Sequence, residues 1–242
     1  MEYALVLTVG LVAGTLGGIV GFGSSIMLMP VLVLTFGPRE AVPIMAVASV
    51  MANLSRVLVW WRAIDWRACL AYAATAVPAA ALGARTLLAL PPRVVEVTLG
   101  AFFVAMIPLR RAIAHRGLHV RLPHLAAAGA VIGFVTGIVV STGPISVPLF
   151  LAYGLVKGAF LATEAAGSLA VYLAKAVVFR SFGALPLDVA LRGLITGASL
   201  MVGALVAKRF VLALPPERFR VIMDAVLLAS GASLLWSAVA QP

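Results

Sequence analysis

The sequence predicts an all-α, polytopic membrane protein made of two homologous halves, each a Gly/Ser-broken segment followed by three transmembrane helices. Three observations carry this. Of the 242 residues, 63% are hydrophobic and only 11% charged, at a mean hydropathy of +1.14. A soluble core of this length cannot hide so much apolar surface, so lipid must cover part of it. Residues 3–38 and 122–156 carry no charge over 36 and 35 positions. The chain also echoes itself in order: "FGPREAVPIMAVASVMANLSRVLVW" (36–60) returns as "YGLVKGAFLATEAAGSLAVYLAKAVVF" (153–179), and "LALPP" opens both 88–109 and 212–235.

The first half reads as segments at about 4–36, 41–62, 68–88 and 94–109. A continuous helix over the first charge-free stretch would measure about 54 Å, against a hydrocarbon core of about 30 Å. It must therefore bend or fold back, and "GIVGFGSSIMLMP" (18–30) supplies the break. The second half reads as 124–153, 159–180, 188–207 and 217–237, with its break in "GFVTGIVVSTGPISVP" (133–148). Asp65 and Asp188 precede the third segment of each half. The units are a first repeat over 1–109, a basic cytoplasmic linker over 110–121 and a second repeat over 122–242.

Charge counting bears on how each broken segment lies. If each crosses once, the repeats are parallel and the basic residues divide ten against eight. If each is a re-entrant hairpin, the repeats are inverted and twelve of the 18 fall on one side. The positive-inside rule favours the second arrangement, with the linker cytoplasmic. The net charge of +10 is scattered at the ends of apolar runs, apart from "LRRAIAHRGLHVRLP" (109–123). That pattern suits orientation in an anionic bilayer and argues against nucleic acid. The N-terminus lacks a basic leader before its apolar run, so no cleaved signal is expected. Cys69 is the single cysteine, and His115, His119 and His124 sit in or beside the linker, so no disulfide, metal or cofactor is expected.

Broken backbone deep in a bilayer is tolerated only where protein or a water-filled cavity satisfies it. Glycines permit the turn, and Ser24, Ser25, Ser141 and Thr142 could cap the second arm. The arms would then present helix N-termini, which attract anions. Matched breaks in two halves point to a secondary transporter's site. The plainer reading is that small residues merely allow close helix packing. Ser49, Asn53 and Arg56 share one helical face, as do Glu164, Ser168, Tyr172 and Lys175. Arg56 and Lys175 are equivalent in the repeat, and could hold an anion between the halves or snorkel to headgroups. The candidate substrate-binding residues are thus Gly21, Gly23, Ser24, Ser25, Asn53, Arg56, Ser141, Thr142, Gly143, Tyr172 and Lys175. Glu164 is a candidate proton-coupling group, or else an interfacial carboxylate. Asp224 is expected to pair with Arg220 one turn earlier.

With "GLVAGTLGGIVGFGSSIMLMPVL" (10–32), "GFVTGIVVSTGPISVPLF" (133–150), "GARTLLALPP" (83–92) and "GALVAKRFVLALPP" (203–216), the sequence resembles the sulfite exporter TauE/SafE family over nearly its whole length. The resemblance carries the glycine-rich break to Gly17, Gly18, Gly21 and Gly23, and the following proline to Pro30 and Pro148. It departs where Ser24 and Ser25 replace a further glycine run and where the second break reads "STGP". It implies a multi-pass permease of the bacterial inner membrane that exports a small anion, an organosulfonate or sulfite. Alternating access around the two breaks is the expected mechanism. Export could be driven by the membrane potential or by a proton. An anion channel of the same architecture and an intramembrane sulfur-handling enzyme are the alternatives. The partners are the anionic substrate and the lipid bilayer, and a homo-oligomer is left open.

Overall fold

The computed structural model describes residues 2–20, 23–115, 119–139 and 142–207, together with the isolated positions 228, 232 and 236. Gly21, Ser141, Arg220, Asp224 and, apart from those three positions, the eighth segment expected at 217–237 lie outside the described residues. Every regular element among the described residues is helical: α1 (Glu2–Val20), α2 (Ser24–Phe36), α3 (Pro38–Trp60), α4 (Trp66–Leu88), α5 (Pro92–His115), α6 (Leu122–Ile138), α7 (Gly143–Ala152), α8 (Lys157–Ser181) and α9 (Leu187–Ala207), with a 3-10 turn at Trp61–Ala63.

Local chemistry explains the boundaries. α3 starts on Pro38, a residue whose fixed φ suits a first turn, and follows Gly37 at φ 78°. Asp65 caps α4 by accepting the Ala68 N–H at 3.0 Å. α5 continues to His115, further than the expected end at 109, because an Arg/Ala-rich stretch remains a good helix former beyond the apolar region. Among the described residues, four helices are long and apolar enough to cross a bilayer: Arg39–Ala63, Trp66–Leu88, Gly158–Ser181 and Leu187–Ala207. Large apolar side chains such as Leu34, Leu70, Val131 and Leu187 stand on the outside, as lipid-facing residues do. By contrast α2 and α7, at 13 and 10 residues, reach only about 20 and 15 Å. Neither can cross alone.

The ends of the broken segments come back to where they began. Tyr3, in the first turn of α1, lies against Phe36, the last residue of α2, with ring centroids 5.7 Å apart. The Val120 N–H, just before α6, donates to the carbonyl of Ala152, the last residue of α7, at 3.2 Å.

Packing exchanges elements between the two sequence halves. α9 lies on α1 and α3, α4 lies on α6 and α8, and α3 meets α8 at the centre. Glycine makes the approach possible on both flanks. A Cβ added at Gly14 would stand 2.3 Å from the Leu200 carbonyl oxygen, and one at Gly133 would stand 2.3 Å from that of Ala76. At these distances backbone touches backbone, the small-residue packing that bilayer helices favour.

Candidate functional site

α2 opens on Gly23, whose φ of 104° a residue with a Cβ rarely adopts. Thr142, the residue before α7, makes no side-chain cap bond, which corrects the expectation that it would cap that arm. Its hydroxyl, like that of Ser25, turns toward a neighbouring helix. Ser25 Oγ lies 3.4 Å from Ser49 Oγ on α3, and Thr142 Oγ1 bonds Thr136 Oγ1 on α6. Both helix starts carry the partial positive charge of a helix N-terminus.

Both starts open into one buried cavity of about 30 Å³, room for one or two waters. Gly23, Ser24 and Ser25 line it from α2, while Thr142, Gly143 and Ser146 line it from the α7 side. α3 contributes Ser49, Asn53 and Arg56, and α8 contributes Glu164, Ser168 and Tyr172. Tyr72 of α4, buried edge-on against Phe150 at 5.2 Å, forms part of the wall, as does Thr136.

One ion pair crosses this space. Arg56 Nη1 donates to Glu164 Oε2 at 3.1 Å, with the two side chains 12% and 4% exposed. Arg56 Nη2 donates to Asn53 Oδ1, and Asn53 Nδ2 donates to the Ser49 carbonyl at 2.7 Å. Glu164 Oε1 accepts from Ser168 Oγ at 2.8 Å and from Ser146 Oγ at 3.2 Å. The carboxylate thus ties α8 to α3 and α7, and a buried charge held this way is matched rather than stranded. Both side chains are largely buried within the protein and paired with each other.

Of the expected site residues, Gly23, Ser24, Ser25, Asn53, Arg56, Thr142, Gly143, Tyr172 and Glu164 all line the cavity. Lys175 does not. It is 1% exposed, and its ammonium donates to the carbonyls of Thr136 at 2.9 Å and Val139 at 2.8 Å, where α6 ends. A cation there offsets the negative end of that helix. Ala52, Tyr72, Thr136, Ser146 and Val171 are the lining residues that sequence reasoning missed. Only Thr136 and Ser146 left a trace, as hydroxyls within the second break. Cys69 is buried on α4 and lines no part of the cavity.

Against known proteins, the profile of the family described as "Sulfite exporter TauE/SafE" matches residues 6–234. No curated protein and no solved structure matches the chain.

Proposed function

The chain belongs to the sulfite exporter TauE/SafE family, a family of membrane transporters of sulfur anions, and from that premise we propose a secondary transporter that exports an organosulfonate or sulfite by alternating access. The bacterial inner membrane is the proposed location. The cavity is the proposed binding site, with Arg56 as the cation, Ser25, Asn53 and Tyr172 as polar neighbours, and the starts of α2 and α7 as flanking positive ends. Gly21 and Ser141 belong to the same proposal by their place in the two breaks. Lys175 acts through the backbone of α6 rather than on the anion.

The observation that carries this reading is the meeting of two helix starts and a guanidinium in one buried space. The contacts of Tyr3 with Phe36 and of Val120 with Ala152 support re-entrant hairpins over bent crossings. With two hairpins, each half makes three crossings and the repeats are inverted. The exchanged packing of α1 with α9 and of α6 with α4 supports the same symmetry. A space of about 30 Å³ is too small for a sulfonate and favours a carrier that rearranges to bind over an open channel.

The test is counterflow of a radiolabelled alkanesulfonate in proteoliposomes of the purified protein. Saturable exchange is expected, and Arg56→Ala should abolish it. Exchange at the wild-type rate in Arg56→Ala would overturn the site.

A further inference from the structure

The cavity is electrically neutral before any substrate arrives. Among the described residues its lining holds one cation, Arg56, and one anion, Glu164, in direct contact. The titratable neighbours facing Glu164 are Arg56 from α3, Tyr72 from α4 and Tyr172 from its own helix; α2, α6 and α7 bring only hydroxyls and backbone. Lys175 is turned away to the end of α6. An arriving oxyanion meets two obstacles. The space takes no more than one or two waters. A second negative charge would also leave the buried site with a net charge, and a low-dielectric interior strongly disfavours that.

The charge obstacle disappears if the substrate takes the carboxylate's place on the guanidinium, and the room comes from the helix movement that alternating access supplies. A sulfonate offers the same charge and the same acceptor oxygens to the guanidinium fork. Resting on the transport reading above, we propose that the anion displaces Glu164 from Arg56 while Glu164 takes up one proton from the aqueous side, so that one proton crosses with each anion. The balance is simple. The Arg56–Glu164 pair becomes an Arg56–anion pair beside a neutral carboxylic acid, and the site stays uncharged. On release to the far side the proton leaves Oε2 or Oε1 for water, and the carboxylate closes again on Nη1. The neutral acid keeps its partners, because a serine hydroxyl can accept as readily as donate, and Ser146 and Ser168 are already within 3.2 Å and 2.8 Å of Oε1.

Transport of this kind is electroneutral. Its direction follows the anion and proton gradients together and ignores the membrane potential. A permanently ionised alkanesulfonate, methanesulfonate, is the appropriate probe, because its own protonation cannot mimic coupling.

Proteoliposomes are compared in three conditions. The first has no gradient and measures wild-type counterflow; its absence would sink the transport reading itself. The second has a pH step of one unit with the potential clamped by valinomycin and equal potassium. Accumulation on the alkaline side by about tenfold is expected, the ratio that one proton per anion fixes. The third has equal pH and a potassium diffusion potential, and no accumulation is expected. Counterflow together with accumulation driven by potential and indifferent to pH would overturn the coupling while leaving the transporter intact. Glu164→Gln, fixed in the neutral form, should lose the pH-driven accumulation. Retention of the tenfold ratio in that variant would equally overturn the role of Glu164, and the wild-type conditions decide the matter even if the variant is inactive.

Discussion

Removing one partner of the Arg56–Glu164 pair should damage the fold more than removing both. The two side chains are 12% and 4% exposed, so solvent can do little for a partner left alone. Arg56→Met would leave the carboxylate with only the hydroxyls of Ser146 and Ser168. Breaking a buried pair from one side costs about 3–5 kcal/mol, whereas replacing both partners by matched uncharged side chains is often neutral. For a chain of this size about 2–4 °C of Tm accompanies each kcal/mol, so Arg56→Met should unfold roughly 6–20 °C below wild type. In Arg56→Met/Glu164→Gln the amide can still bond both serines while methionine fills the guanidinium's space. That double variant should recover most of the loss yet carry out no sulfonate counterflow. Scanning fluorimetry in detergent at one fixed scan rate, run beside the proteoliposome assay, reads both quantities. Two results would refute the reasoning. A single variant within a degree or two of wild type would mean that water already screens the pair. A double variant as unstable as Arg56→Met would mean that the guanidinium supports the fold through something other than the carboxylate.

Three further outcomes are expected. Gly14→Ala and Gly133→Ala each place a methyl 2.3 Å from a backbone carbonyl oxygen, so they should push α1 off α9 and α6 off α4 and destabilise by about 1–3 kcal/mol each, read as a lower Tm. Lys175→Met deprives the Thr136 and Val139 carbonyls of their shared donor at about 1–3 kcal/mol for each; the Tm should fall, while the stabilisation given by saturating sulfonate should persist, since the ammonium does not line the cavity. Fusion reporters placed beside Arg116 and at the C-terminus should report opposite sides of the membrane, the arrangement that three crossings in the second half require.

The breaks were legible because charge-free stretches of 36 and 35 residues exceed what one helix can bury in lipid, and helices end at Val20 and Ile138 and resume at Ser24 and Gly143. Asn53, Arg56, Glu164 and Tyr172 were legible because a polar side chain on one face of an apolar helix needs a reason to be there. Tyr72 was not, since Thr75, its polar companion three residues on along α4, bonds the backbone carbonyls of Tyr72 and Ala126 and marks helix packing rather than a site. Lys175 shows what periodicity leaves out. Eleven residues past Glu164, it shares that residue's helical face but stands about 16 Å further along the axis. Angle is written in the spacing, and depth is not. Apart from positions 228, 232 and 236, the eighth segment and the Asp224–Arg220 pair expected there lie outside the described residues.

The repeat also predicts more symmetry than the chemistry keeps. If Arg56 and Lys175 are equivalent, the position matching Glu164 is Met45, which is fully buried in the apolar core. Only one half therefore supplies a carboxylate. Arg56 reaches it across the interface between α3 and α8, whereas Lys175, having no acid at the mirrored place, turns to the backbone oxygens at the end of α6. Two matched cations would leave the cavity strongly positive and able to hold an anion too firmly to release it. With one cation already matched by an acid, the vacant site is neutral and the anion must compete for its place. On the proposed reading, this asymmetry gives the two helix starts a site that can both take a substrate and let it go.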